Sequence, residues 1–417
     1  MRISSSSIYD LNIASMNQQQ SDLLNTQLHI SSGKRVMTPA DDPVAAAQAV
    51  SVNQAIATNT QYATNQTAAN SALGLSDNAL QNVTTLLQSV QSTAVNAGNG
   101  SLTNTDRHTL AATLQQNLQQ LLGLANSTDG SGNYIFSGSQ GTVQPFTDTP
   151  SGVTYNGNDV VNYTQVATGR KIATSNSGAD IFMRVKNGNG SFATSSSTTN
   201  SGTGVISQGS LVNPVPTSLQ AGNTYTVTFT VTGTTTTYSI TGTDSTGAAL
   251  PTAAQPGTLP TNVAYTSGQS ISFNGIQFNV QGAPASGDTF TVQPSTNVSV
   301  FQTMTNLINS LNTSIAQGDS AAQAQLNQQV GAAIGGLNQA LSSVLTVRAS
   351  VGSRMSEVST LQSSGRTLKT VYQQQLSNLQ DLDYNKAIST LTQQQTSLQA
   401  AMQSFQKISG LSLFNYM

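Results

Sequence analysis

SSGKRVMTPADDPVAAAQAV, residues 31–50, stands between two long stretches of helical periodicity. It holds one Gly, two bases, two Pro and two adjacent carboxylates. Either Asp41 and Asp42 form a catalytic pair, or the stretch is a joint between helices. An acid/base pair needs neighbours that push the two pKa values apart, and the sequence offers none nearby. The local signals favour a joint. Gly33 stands where a helix C-cap belongs, with Lys34 and Arg35 beside the negative end. Asp42 precedes Pro43, a favoured first helical residue, and alanines follow. The inter-helix joint is therefore read as Gly33, Asp41, Asp42 and Pro43.

Working outward, the residues before the joint carry an apolar seam. Ile13, Met16, Leu23 and Ile30, with Gln20 and Gln27, alternate steps of three and four, the pattern of a coiled coil. The two glutamines weaken it. After the joint a second helical pattern runs to about Ala97, with Leu73, Leu80, Val83, Leu87 and Val90 on one stripe. Asn99-Gly100 ends it. Thr103 and Asp106 are spaced as a capping box for a third helix, whose apolar face is Leu110, Leu114, Leu121 and Leu124.

From about residue 131 the period falls to two. TYTVTFTV puts Tyr225, Val227, Phe229 and Val231 on one face and threonines on the other. ISFNGIQFNV reads as a hairpin around a type I′ turn at Asn274-Gly275. Its inward face would be Ile271, Phe273, Ile276, Phe278 and Val280. One-sided strands of this kind suit an antiparallel sandwich. The Ser/Thr/Gly tract near 193–210 is expected to be loop or disordered.

The helical period returns near 297 with Phe301, Met304, Ile308, Leu311 and Ile315. Gly318-Asp319 interrupts it, and Leu326, Val330, Leu337, Leu341 and Val344 resume it. Near the end, Ile388, Leu391, Leu398, Met402 and Phe405, with Gln395, form a second seam. A single helix from about Ser353 to Ser409 would be roughly 85 Å long, stopped at Gly410. The fold class is α+β and multidomain. Long N- and C-terminal helices form a coiled-coil or helical-bundle stalk, carrying an inserted β-hairpin and antiparallel β-sandwich. The segments are 1–33, an N-terminal coiled-coil helix; 34–165, stalk helices and hairpin; 166–296, a β-rich insertion; 297–352, returning stalk helices; and 353–417, a C-terminal coiled-coil helix and tail.

Composition narrows the function. Only 7% of the 417 residues are charged and the net charge is −2. Nucleic-acid binding needs clustered bases, so it is not expected. No apolar run is read as long enough to span a bilayer, so membrane insertion is not expected either. The absence of Cys removes disulfides and thiol chemistry. The start of the chain lacks the apolar core of an ordinary secretory signal. His29 and His108 each lack a second ligand at metal-site spacing. KNGNGS (186–191) and DSTG (244–247) read as turns. No catalytic, cofactor-binding or metal site is assigned, and the chain is not read as an enzyme.

Several of these stretches together resemble the bacterial flagellin superfamily, on the branch of its hook–filament junction proteins. ISSGKRV followed by TPADDPVAAAQA is similar to that family's joint between terminal helix and stalk. NGSLTNTDRHTLAATL resembles its turn into the next helix, with Arg107 in place. LANSTDGSGNYIFSGS matches its helix end and following hairpin. VRASVGSRMSEV carries Arg348, Gly352 and Arg354. The final KISGLSLFNYM resembles the junction branch rather than filament flagellin. The resemblance covers roughly residues 1–165 and 297–417, and the segment around ISFNGIQFNV is similar to the sandwich of hook-associated proteins.

What the resemblance implies is structural. Such proteins self-associate in a ring between a neighbouring hook-associated protein and flagellin. They are exported unfolded by the flagellar type III route, after a cytoplasmic chaperone has held the C-terminal helix. The expected location is secreted, in the extracellular flagellum, and the terminal seams are expected to order on assembly. The alternatives are a filament flagellin and, from another class, a coiled-coil surface adhesin.

Overall fold

The structure is a computed structural model in which residues 5–212, 222–250 and 259–410 are described. Among them are six α-helices: α1 (Ser5–Ser32), α2 (Pro43–Ala97), α3 (Asn104–Ala125), α4 (Val300–Asn312), α5 (Ser320–Gln380) and α6 (Tyr384–Gly410). Antiparallel strands lie between α3 and α4, so helix, sheet and helix follow one another along the chain. The tail Leu411–Met417 lies outside the described residues. Two compact units divide the chain. One is made from its ends, up to Gln66 and from Thr360, with the short stretch Val166–Thr168. The other holds Thr67–Gln165 and Gly169–Ser359.

In the second unit, the α2 stripe Leu80, Val83, Leu87 and Val90 packs with Leu114 and Leu121 of α3 and with one face each of α4 and α5. Each local signal has a visible cause. Thr103 accepts from Asp106 N–H while the Asp106 carboxylate accepts from Thr103 N–H at 3.0 Å, the reciprocal capping box. Gly318, with φ of +85°, turns the chain before α5. Ile315 lies beyond the end of α4, where its backbone N–H donates to Asn104 Oδ1 at 3.0 Å. NYIFSG forms no named strand. It delivers Phe136 to an aromatic cluster with Phe146, Phe182 and Phe301, in which Phe146 lies 5.4 Å from both Phe182 and Phe301.

The arginines of the family-like segments brace helices, Arg107 and Arg354 against loop residues and Arg348 against α2. Buried Arg107 donates to Leu102 O at 3.0 Å, Arg348 to Asp77 at 3.0 Å, and Arg354 to Asn176 at 3.1 Å. Nothing crowds a Cβ at Gly352, so packing gives no reason for glycine there.

The insertion is a two-sheet sandwich. One sheet runs Ala249–Leu250, Thr235–Thr243, Thr224–Thr232, Thr289–Pro294, Phe192–Ser196, with Val263–Ala264 beside Thr235–Thr243. The other runs Ser270–Phe273, Ile276–Gln281, Val205–Ile206, with Ser210–Leu211 also on Ile276–Gln281. Phe273 pairs with Ile276, and Asn274 and Gly275 have φ of 45° and 75°, as a type I′ turn requires. Ile271, Phe273, Ile276, Phe278 and Val280 are buried together with Tyr225, Val227 and Phe229 in one core.

Four expectations are corrected. Residues 193–210 are only partly loop: Phe192–Ser196, Val205–Ile206 and the start of Ser210–Leu211 are strands, and the residues between them are turns and loop. Their order comes from distant partners, such as the strand Thr289–Pro294 and the Asp288 carboxylate, which accepts from Ser201 and Gly202 N–H at 2.9 and 3.0 Å. Val231 is more than a third exposed, at the end of its strand. The helix expected from Ser353 to Ser409 instead starts at Ser320, runs unbroken through Gly352, stops at Gln380 and restarts at Tyr384. Finally, α5 contains a window long and apolar enough to cross a membrane. Its apolar residues Leu326, Val330, Leu337 and Val344 are buried in the bundle core.

Candidate functional site

The first unit holds the joint and both seams. α1 ends because Gly33 takes φ of +70° and donates its N–H to His29 O at 2.9 Å, a left-handed C-cap. Lys34 then forms a β-bridge with Asp381. Arg35 does not serve the end of α1, as its position suggested. Its N–H and Nη2 donate to Gln380 O and Leu379 O, at 2.7 and 2.8 Å, and so occupy carbonyls at the end of α5. Its Nη1 reaches Asp42 Oδ2 at 3.0 Å. One guanidinium thus ties the end of α5 to the start of α2.

Asp42 is the N-cap of α2: Oδ1 accepts from Ala45 N–H at 3.0 Å, with Pro43 as first helical residue. Asp41 Oδ2 accepts from Thr38 and Met37 N–H at 2.7 and 2.9 Å and closes the turn before it. The Thr38 and Met37 amides hold the Asp41 carboxyl below the usual carboxylate range; the Ala45 amide and Arg35 do the same for Asp42. Both carboxylates are thus occupied by backbone amides, Asp41 closing the turn and Asp42 capping α2.

The return chain jogs at the same place. Leu382 N–H donates to Gly33 O at 3.0 Å, and Asp383 Oδ1 accepts from Asn385 and Lys386 N–H at 3.0 and 3.2 Å, capping α6. Val36 is buried among these turns. His29 belongs to the joint too: Nδ1 lies 2.9 Å from Lys34 O and Nε2 4.0 Å from Asp41. Sequence reading missed Arg35's role, His29 and the 381–383 break. The Asp two residues before the Asn385–Lys386 turn was the available cap signal.

α1 and α6 pair antiparallel. Leu382 meets Gly33 at one end, and the rings of Tyr9 and Phe405 meet edge-on at 6.0 Å towards the other. Met16, Leu23 and Ile30, with Leu391, Leu398 and Phe405, are half-buried. The flanking rows differ from expectation. Asn12, Gln19 and Thr26, with Ala387, Gln394 and Ala401, are the ones covered. Ile13, Ile388 and Met402 stay 46%, 52% and 42% exposed, and Gln20, Gln27 and Gln395 are exposed with them. Gln19 and Gln394 each bury an Oε1 without a hydrogen-bond partner, which weakens the pair. Each helix thus pairs through its more polar flank and leaves its more apolar flank open. Among the described residues, no three His, Cys, Asp or Glu cluster to hold a metal ion.

Residues 3–141 match the family model described as the bacterial flagellin N-terminal helical region. The chain is 29% identical to the flagellar hook-associated protein 3 of Salmonella typhimurium over 99% of each chain. Two crystal structures from Legionella pneumophila are similar in fold. Its flagellar hook-associated protein 3 has a TM-score of 0.70 at 30% identity, covering 79% of this chain and 98% of that one. The structure described as its flagellar junction protein FlgL has a TM-score of 0.69 at 31% identity, covering 80% and 100%.

Proposed function

This chain belongs to the flagellar hook-associated protein 3 family, and on that premise we propose that it is a structural component joining hook to filament, without enzymatic activity. Copies of the chain associate in a ring, between a neighbouring hook-associated protein on one side and flagellin on the other. The chain reaches the extracellular flagellum by export in an unfolded form, and a cytoplasmic chaperone covers its C-terminal helix before export. The absence of Cys suits that passage, because no disulfide can form wrongly on the way.

One observation carries this reading: the open apolar flank on the two terminal helices. Ile13, Leu24 and Leu28 of α1 and Ile388 and Met402 of α6 are all exposed, in a unit that also exposes Val44, Leu368 and Val371. Apolar residues exposed side by side on one flank mark a contact with other proteins. Helices gain most of their stability from packing, so the pair α1–α6 becomes fully ordered only when neighbouring copies cover the second flank. The assembly seam is then Ile13, Met16, Leu23, Ile30, Ile388, Leu391, Leu398, Met402 and Phe405. The joint Gly33, Asp41, Asp42 and Pro43 holds the turn between α1 and α2.

The test is the triple variant Ile13→Ser, Ile388→Ser, Met402→Ser in the full chain. The purified monomer should keep its helical circular dichroism, while cells producing it shed their filaments into the medium. Filaments retained at normal length would overturn the assembly role of this flank. Deleting the gene separates a junction protein from a filament flagellin: the first releases filament monomers, the second leaves a capped hook. Amide exchange on the monomer tests ordering on assembly, which strong protection across residues 5–30 and 384–405 would contradict.

A further inference from the structure

We infer that the sandwich is a head that turns on a two-stranded neck, and that three glutamines form the latch holding it against α5. The residues of the two apolar cores do not mix: one core lies in the helices and the 136–185 segment, the other wholly within residues 192–292. α5 shows why. Leu326, Val330, Ala333 and Leu337 point into the bundle. Another face of the same helix meets the sandwich, and it carries Gln325, Gln328, Gly331 and Gly335.

The contacts on that face are amide hydrogen bonds. Gln325 Nε2 donates to Thr198 O and Asn200 O at 3.0 and 3.2 Å. Gln328, 6% exposed, accepts from Ile206 N–H at 2.9 Å. From the sandwich side, the Gln208 amide donates to Gly331 O. A Cβ on Gly335 would collide with that amide, so the glycine is what lets Gln208 lie along the helix. A contact made of exchangeable hydrogen bonds has a small net free energy, since water replaces each one when it opens.

The neck is built to bend. Two short strands, Val185–Lys186 and Asn297–Val298, form it. Val185 is fixed in the bundle core. Beyond it come Gly188 and Gly190, with φ of +61° and +91°. On the return side, Asn187 holds Thr296 through its N–H to Thr296 O at 3.0 Å and its Oδ1 to Thr296 N–H at 2.8 Å. A hinge of few residues beside a polar latch gives rigid-body rotation, with neither core opened.

Pulsed electron spin resonance on the full chain tests this. The chain has no Cys, so labels attach only at introduced sites. Thr241→Cys on the head and Thr346→Cys on α5 are both exposed. The parent should give one narrow distance distribution. The triple variant Gln208→Ala, Gln325→Ala, Gln328→Ala should broaden or shift it, while amides of Thr224–Thr232 keep their exchange protection. A distribution identical to the parent's would overturn the latch, and so would loss of that protection, because the glutamines would then belong to the head's own fold. Gln325→Ala alone, at a half-buried position, should broaden the distribution less and in the same direction; no broadening there also counts against the latch.

Discussion

Gly33→Ala separates two ways in which the joint holds its shape. The backbone at Gly33 has φ of +70°, a conformation that costs an L-residue with a Cβ roughly 1–2 kcal/mol. A Cβ built there also sits 2.9 Å from the Tyr384 hydroxyl oxygen. Tyr384 is half exposed and its ring can swing outward, so the backbone cost dominates. A loss of 1–2 kcal/mol shifts an equilibrium about 5- to 30-fold. The bonds that close the joint are Leu382 N–H to Gly33 O at 3.0 Å and Arg35 N–H to Gln380 O at 2.7 Å. Their opening should become about 5- to 30-fold more frequent by the same conversion. Amide exchange read by mass spectrometry on peptides covering 33–43 and 377–387 measures it. Adding Tyr384→Ala relieves the steric part only, so fast exchange should persist in the double variant. A double variant that returns to the parent rate would show that the ring contact, not the left-handed turn, governs the joint. An unchanged rate in the single variant would refute the reasoning altogether.

Leu80 is fully buried in the bundle, and Leu80→Ala should cost about 2–5 kcal/mol, read from urea unfolding of the helical signal. Phe229→Ala should cost the sandwich about 3–5 kcal/mol and raise amide exchange in Thr224–Thr232, with the α2 and α3 amides unchanged. The Asp41 and Asp42 pKa values are lowered in the folded chain, so their contribution is complete above the unfolded carboxylate value and disappears as pH falls through the lower, folded values. Susceptibility of residues 33–43 to an acid-active protease should therefore rise below about pH 4, and Asp41→Asn with Asp42→Asn should flatten that dependence.

The elements that local chemistry decides were legible in the sequence. The Asn274-Gly275 turn, the Thr103–Asp106 box, the Gly33 stop and the Asp42 cap each depend on a few neighbouring residues, and each is present. Where partners decide, the sequence was ambiguous. In residues 193–210 both faces are largely Ser and Thr, so no alternation marks the strands that Thr289–Pro294 and Ile276–Gln281 organise. The helix expected to begin near Ser353 is continuous through Gly352, because a single glycine in a long packed helix costs only about 1 kcal/mol. The true break is 381–383, where the bridge from Asp381 to Lys34 aligns the two segments. The terminal seam was half legible. Met16, Leu23 and Ile30 belong to both candidate stripes, so periodicity alone could not say which flank meets α6.

That shared row gives the reading its sharpest test. If one row of residues serves two contacts, its loss damages both, whereas a residue on the open flank serves assembly alone. Leu23 and Leu398 are half-buried against the partner helix; Ile13 and Ile388 are about half exposed. Leu23→Ser with Leu398→Ser should therefore speed amide exchange in α1 and α6 of the monomer and also release filaments. Ile13→Ser with Ile388→Ser should release filaments while leaving monomer exchange at the parent rate. The contrast is read from the residual protection that α1 and α6 keep in the parent monomer, and both variants are compared with that same parent. If the Ile13 and Ile388 pair instead disturbs the monomer as much as the shared row does, then both flanks already serve the fold of a single chain. In that case no surplus apolar face remains for a second copy to cover.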